Sequence, residues 1–310
     1  MSNKIPLIVV CGPTASGKTK LAVMLAKAFD TAVVSADSMQ IYKGMDIGTA
    51  KPTENEMNGI PHYMIDIVYP DRRYSVSDYV SKAGQVISDI AQKGKIPILA
   101  GGTGLYIDTL VSGTRFGEIK YDEKIRGELS EFSGLELKEK LLKIDPAVAD
   151  RLHENDKKRL IRALEIYFTT GVTMSEWERR SVNESPYEPL YIGLTCENRQ
   201  LLYDRINIRV DTMIEQGLVD EVKNLLNKGI PLDTTAMQAI GYKEIAIALK
   251  TGGSITEAVE IVKMESRRYA KRQLTWFRRN DKIHWFFTDK ENFEEIYSKS
   301  KIMVENSFLM

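Results

Sequence analysis

Ile5-Pro6-Leu7-Ile8-Val9-Val10-Cys11-Gly12-Pro13-Thr14-Ala15-Ser16-Gly17-Lys18-Thr19 decides the fold class. Its first half is a continuous apolar run, the pattern of a strand buried on both faces. Gly12 to Thr19 matches the phosphate-loop pattern in full, and a helix is expected directly behind it, from Lys18 to Phe29. Glycines let backbone amides turn toward a polyphosphate, the helix start adds partial positive charge, Lys18 bridges phosphate oxygens and the Thr19 hydroxyl can ligate magnesium. Gly12, Pro13, Thr14, Ala15, Ser16, Gly17, Lys18 and Thr19 are therefore the candidate diphosphate- or nucleotide-binding residues. The motif does not say which polyphosphate binds.

Working outward, Thr31 to Ser35, Tyr63 to Ile67 and Ile96 to Ala100 read as further strands. Strands alternating with helices imply α/β architecture, a P-loop NTPase-like parallel sheet flanked by helices. Strand signals stop between Thr114 and Pro189, and helical spacing takes over at Leu137, Leu141 and Leu142 and again at Leu160, Ile161, Leu164, Ile166 and Tyr167. Leu190 to Cys196 resumes the strand pattern. The expected organisation is a discontinuous catalytic core, residues 1–114 and 190–310, with a helical insertion domain at 115–189 and a linker-like exit at Glu184 to Pro189. Arg199 to Leu226 and Ile255 to Arg279 read as helices, and Ile283 to Phe287 as a last strand.

A chain of 310 residues exceeds the usual single domain, in keeping with a core plus one added unit. Lys plus Arg and Asp plus Glu are both 43, so net charge says nothing for or against nucleic acid, and only its distribution can. No apolar run approaches the ~18 residues of a membrane span, so a cytoplasmic protein with no membrane association is expected. Cys11 and Cys196 lie far apart in apolar runs and read as buried free thiols, and three histidines without zinc-finger spacing argue against a zinc site.

Asp37 follows the second strand and so stands at the carboxyl edge of the sheet beside the phosphate loop, where such folds bind ligands. It is the candidate general base, with a helix cap or a water-mediated magnesium contact as the other readings of the same position. Gly101-Gly102-Thr103-Gly104 brings Thr103 to that edge, or is an ordinary turn. Arg205 and Arg209 share a helical face that can point at a polyanion or form salt bridges. Lys263, Arg267, Arg268, Lys271, Arg272, Arg278, Arg279 and Lys282 place eight basic residues in a 20-residue window that holds only Glu265 and Asp281. Lys157-Lys158-Arg159 with Arg162 forms a second cluster, and two such clusters favour a large polyanion.

Taken together these residues resemble the tRNA dimethylallyltransferase (tRNA isopentenyltransferase) family over nearly the full length. The resemblance rests on the phosphate loop, on Asp37-Ser38-Met39-Gln40-Ile41-Tyr42-Lys43-Gly44-Met45-Asp46-Ile47-Gly48-Thr49-Ala50-Lys51, on Gly101-Gly102-Thr103, and on Lys271-Arg272-Gln273-Leu274-Thr275-Trp276-Phe277-Arg278. It implies transfer of a dimethylallyl group from dimethylallyl diphosphate to the exocyclic amine of an adenine next to the anticodon, with Mg2+ as cofactor and the tRNA anticodon stem-loop as partner. Asp37 would be the general base, Thr103 a tRNA contact, Arg209 a grip on the diphosphate and Thr19 the metal ligand. The resemblance also implies tRNA contacts by Asp37, Ser38, Met39 and Gln40, by Lys158, Arg159, Leu160, Ile161 and Arg162, by Gln238, Ala239, Ile240, Gly241, Tyr242 and Lys243, by Lys271 to Arg278, and by Arg126, whose surroundings match the family less well. Larger eukaryotic relatives carry a carboxyl-terminal zinc-finger region, so this chain reads as the compact bacterial type and is expected to be a monomer.

Three other activities suit parts of the same pattern: a small-molecule kinase, a prenyltransferase of free adenine nucleotides, and a non-catalytic RNA-binding NTPase. The first two leave the basic clusters without a task, and the third leaves Asp37 without one.

Overall fold

The computed structural model describes residues 4–114, 122–180 and 184–309. The chain begins β1 (Ile5–Cys11), α1 (Lys18–Ala28), β2 (Val33–Ser35), α2 (Glu54–Met57), β3 (His62–Tyr63), α3 (Val76–Gln92), β4 (Ile98–Gly101) and α4 (Gly104–Val111). Five helices follow: α5 (Glu123–Ser130), α6 (Gly134–Ile144), α7 (Pro146–Arg151), α8 (Lys157–Thr170) and α9 (Met174–Arg180). It then returns through β5 (Tyr187–Thr195), α10 (Arg199–Glu215), α11 (Leu218–Asn227), α12 (Tyr242–Thr251), α13 (Ile255–Phe277), β6 (His284–Phe287) and α14 (Phe293–Phe308).

The six strands form one parallel sheet in the order β3-β2-β4-β1-β5-β6. β1 lies inside it, Ile8 to Cys11 against Ile98 to Gly101 of β4 and Ile5 to Cys11 against Tyr187 to Gly193 of β5. Its alternating side chains serve two cores, which is why the sequence shows a continuous apolar run and not an alternation. Leu7, Val9 and Cys11 pack with Tyr79, Ala83 and Ile87 of α3 and Tyr106 of α4. Ile8 and Val10 pack with Leu21 and Leu25 of α1 and with Ile296 and Val304 of α14, a helix that the sequence pattern leaves unassigned. The loops after β1, β2 and β4 all emerge at the carboxyl edge, and they carry the phosphate loop, Asp37 and Thr103.

Several boundaries differ from the sequence reading for identifiable reasons. The third strand stops at Tyr63 and does not reach Ile67, because Met64 and Asp66 adopt φ of 64° and 54°, left-handed conformations that break extended pairing. The helix expected across Arg199 to Leu226 is two helices, divided where Gly217 adopts φ 99°. β5 starts at Tyr187, so part of the linker-like stretch is strand. Pro189 is tolerated there because β6 pairs with β5 only from Ile192 onward, leaving that end of the strand with one neighbour.

The chain separates into two compact units, Met1–Val111 with Pro186–Met310, and Ser112–Ser185. Residues 115–121, at the start of the expected insertion, lie outside the described residues. The second unit packs α5 to α9 around Leu129, Leu137, Leu141, Val148, Leu160 and Leu164. Beside this core the fully buried Glu165 accepts from Arg126 Nε and Nη2, both at 2.8 Å, from Arg162 Nη1 at 2.6 Å and from the Asp122 amide at 3.0 Å. Burial alone would raise the pKa of this carboxyl, but the arginines and the amide outweigh it and hold it at about 2, below the ordinary 4.5.

A carboxylate held low in the folded state stabilises the fold above its unfolded pKa, and that stability is lost as pH falls toward the folded value. Thermal melts should therefore show a loss of stability between about pH 4.5 and pH 2 that is smaller in Glu165→Gln, which itself should cost about 2 kcal/mol at pH 7. Equal acid sensitivity in both proteins would contradict the assignment.

Candidate active site

The loop between β1 and α1 is shaped by its backbone. Gly12, Ala15 and Gly17 take φ of 142°, 60° and 91°. A side chain at Gly12 would also place its Cβ 2.2 Å from the Leu194 carbonyl oxygen of β5, so this glycine is required twice over. Gly17 occupies the N-cap position of α1 and offers no capping side chain, which leaves the first-turn N–H groups available to an anion. The Ser16 hydroxyl is buried with no hydrogen-bond partner among the described residues, and a phosphate oxygen is a chemically suitable acceptor for it.

Two cations converge on this loop. Lys18 donates from Nζ to the Pro13 carbonyl at 2.6 Å, and Arg209 donates from Nη1 to Thr14 Oγ1 at 3.2 Å. Loss of hydration and then the nearby Arg209 pull the Lys18 pKa down to about 8, with Asp37 opposing. Burial likewise lowers that of Arg209. Arg205, one turn earlier, is engaged elsewhere: it donates to Cys196 Sγ, Thr288 Oγ1 and the Thr288 carbonyl, so of the two arginines on that face only Arg209 lines the cavity.

A cavity of about 380 Å³ opens over the loop, lined by Thr14, Lys18, Thr19, Asp37, Ser38, Met39, Gln40, Arg209 and Gln273 among others. Asp37 Oδ1 accepts the Met39 and Gln40 amides at 2.9 and 3.3 Å, which fixes the carboxylate, while Oδ2 takes no hydrogen bond from the described residues. Loss of hydration raises the Asp37 pKa against the pull of those two amides and of Lys18 and Arg209. The position is thus both a turn cap and a carboxylate presented to the cavity. Thr103 Oγ1 accepts the Ser38 amide at 3.0 Å, and its own amide donates to the Ala36 carbonyl at 3.0 Å, so it braces the segment that carries Asp37.

Part of the remaining lining is apolar, alongside the polar Ser35, Thr49, Gln238, Ser266 and Arg272. Ile206, Val210 and Met213 of α10 line it at the i, i+4, i+7 spacing of one helical face, interleaved with Arg209, and Val262 and Tyr269 come from α13. The sequence reading does not assign this wall, although its periodicity around Arg209 carries the signal. Gln238, Ala239, Ile240 and Gly241 complete it, whereas Tyr242 is fully buried with its hydroxyl donating to Glu221 at 2.5 Å, and Lys243 is exposed.

A second groove of about 420 Å³ is lined by Arg268, Lys271, Arg272, Thr275, Trp276 and Arg279, and Arg272 borders both cavities. The Arg279 guanidinium lies 4.1 Å above the Trp276 ring, and Trp276 Nε1 donates to Asp108 at 2.7 Å. Arg278 is exposed, Leu274 packs beside Ala270, and Phe277 is buried in the core. In the other unit Lys158 and Arg159 are exposed, Leu160 is fully buried, Ile161 packs against the same core, and Arg126 and Arg162 are held by Glu165. The side chains of Leu160, Tyr242 and Phe277 therefore serve the interior and shape their neighbours instead of meeting a ligand directly. Cys11 and Cys196 are buried free thiols, and burial pushes Cys11 to about 12.

A model of the IPP transferase family matches residues 40–280. The chain is 50% identical over 299 residues to the tRNA dimethylallyltransferase of Thermoanaerobacter sp. strain X514, covering 94% of this chain and 95% of that protein. Among solved structures it resembles the full-length tRNA isopentenylpyrophosphate transferase of Bacillus halodurans, with TM-score 0.74, 45% identity and 98% of both chains covered. A eukaryotic dimethylallyltransferase captured acting on tRNA gives TM-score 0.85 at 30% identity, over 99% of this chain and 80% of that one.

The depressed Lys18 pKa makes anion binding proton-linked, since the ligand needs the charged form. Calorimetry with inorganic pyrophosphate in buffers of different ionisation heat should show uptake of nearly one proton at pH 9 and little at pH 7, beyond the ligand's own ionisation. Equal uptake at both values would contradict the role of Lys18.

Proposed function

The chain belongs to the IPP transferase family, and on that premise we propose how its residues carry out the reaction. It is a prenyltransferase that moves a dimethylallyl group from dimethylallyl diphosphate to the exocyclic amine of an adenine next to the anticodon of tRNA, releasing diphosphate. The observation that carries this reading is that one carboxylate, Asp37, lines the same cavity as a phosphate loop with two cations and an apolar strip from α10.

An exocyclic adenine amine is a weak nucleophile because its lone pair is delocalised into the ring, so the electrophile must be strong. As the allylic carbon–oxygen bond lengthens, negative charge grows on the diphosphate. Lys18, Arg209 and the amides of the loop stabilise that charge more in the transition state than in the ground state. Ile206, Val210 and Met213 suit the dimethylallyl group and keep water from the developing cation. Asp37 then receives the amine proton as the carbon–nitrogen bond forms. Its raised pKa favours that transfer, and the two amides on Oδ1 hold it in position.

Magnesium fits this donor set. Thr19 lines the cavity in the first turn of α1, and among the described residues no group of three His, Cys, Asp or Glu side chains could hold a metal unaided. The Thr19 hydroxyl would help hold a hard cation here, and such a cation would supply charge neutralisation to the leaving group.

The groove along α13 suits an RNA backbone, with cations from Lys271, Arg272 and Arg279 and a ring from Trp276. Because Arg272 borders both cavities, it stands where a base leaving the RNA stack would pass into the site. An anticodon loop presents unpaired bases, so extruding one is inexpensive. We assign Lys158 and Arg159 of the insertion to the same tRNA.

Asp37→Asn preserves one acceptor for the Met39 and Gln40 amides and removes the base. Single-turnover transfer should slow by roughly 10²- to 10⁴-fold with tRNA affinity little changed. Transfer at the parental rate would remove Asp37 from the mechanism.

A further inference from the structure

Gln273 lies on α13 between Lys271-Arg272 and Thr275-Trp276, residues that line the exposed basic groove, yet it faces the other way and is only 5% exposed. Its Oε1 accepts the Thr14 amide of the phosphate loop at 2.9 Å, and its Nε2 donates to the Gly102 carbonyl at 2.9 Å. Thr14 is the same residue whose hydroxyl receives Arg209. At Gly102 a Cβ would come within 2.2 Å of Gln273 Nε2, so the absence of a side chain there makes room for this contact.

We propose that Gln273 is a positioning residue for the diphosphate: a strut from the RNA-facing helix that holds the phosphate loop against the β4 turn, and no contact of the RNA itself. This rests on the reading that the loop binds diphosphate. The chemistry of the two partners selects an amide. An N–H must be accepted and a C=O must be donated to, by two atoms on one planar group, and among side chains of this length only glutamine offers both at neutral pH. Placed on the buried stripe with Ala270 and Phe277, the residue ties loop geometry to the same helix turns that carry Lys271, Arg272 and Trp276. Losing the strut frees the part-buried Thr14 peptide and takes the donor from the buried Gly102 carbonyl, so an anion must reorder the loop as it binds.

The test uses the full-length chain and two probes, inorganic pyrophosphate with magnesium, measured by calorimetry, and unmodified tRNA, measured by filter binding. Gln273→Met, which keeps length and loses both hydrogen bonds, should weaken pyrophosphate about tenfold and leave tRNA affinity within about twofold. Gln273→Glu adds a readout that packing alone cannot produce. A protonated carboxyl both accepts and donates, so its pyrophosphate affinity relative to the parent should recover as pH falls from 8 to 5.5, while the ratio for Gln273→Met stays flat. Loss of tRNA affinity with pyrophosphate unchanged would overturn the proposal in favour of an RNA contact. Loss of both together with a lowered melting temperature, or a ratio for Gln273→Glu that ignores pH, would overturn it in favour of a purely structural role. Because pyrophosphate binding needs no transfer reaction, each of these outcomes leaves the proposed function standing. Failure of the parent chain to bind pyrophosphate would overturn both.

Discussion

Two cations crowd one loop: Lys18 and Arg209 both reach the segment Pro13-Thr14, and the carboxylate of Asp37 acts on both while that of Glu56 acts on Arg209. Arg209 lowers the affinity of Lys18 for a proton, and each is short of water. Such an arrangement is unfavourable alone and becomes favourable when a polyanion arrives, which is the condition a site for a diphosphate leaving group has to meet. In the proposed reaction these charges, held in place beforehand, need no reorganisation as the carbon–oxygen bond breaks.

The fold exists around that constraint. β1 is clamped between β4 and β5 with both faces buried, so the peptide that leaves it at Gly12 has little freedom of direction. Leu194 of β5 crowds Gly12, Gln273 of α13 fastens Thr14, and Thr103 beyond β4 braces the Ser38 amide beside Asp37. Asp37 and the phosphate loop are therefore fixed to the same sheet edge by rigid elements, and the apolar residues of the cavity they share come from α10 and α13. The surface that suits RNA is the outward side of the same α13.

Much of this was legible in the sequence because the signals are local. A buried parallel strand running into a glycine-rich turn has a distinctive pattern, and so does a basic stripe on a long helix. What the sequence obscured depends on contacts between distant segments. Gln273 sits inside a basic motif and reads as part of it, and only folding shows it 259 residues away from its partner Thr14 in sequence yet bonded to it. Arg205 and Arg209 look alike on one helix turn, and the difference between them is set by Thr288 and Thr14, which no spacing rule reaches. The third strand is shorter than its apolar pattern suggests because Met64 and Asp66 adopt left-handed conformations that a residue type other than glycine does not announce.

The proposed reaction requires the phosphate loop to hold a leaving group and not a phosphoryl donor. Dimethylallyl diphosphate labelled in both the allyl carbon and the phosphorus, incubated with the protein, magnesium and unmodified tRNA beside parallel reactions offering AMP or ATP, separates the possibilities. The carbon label should appear on tRNA alone and the phosphorus label should leave as intact pyrophosphate. Phosphorus label on the acceptor, or carbon label on the free nucleotide, would contradict it.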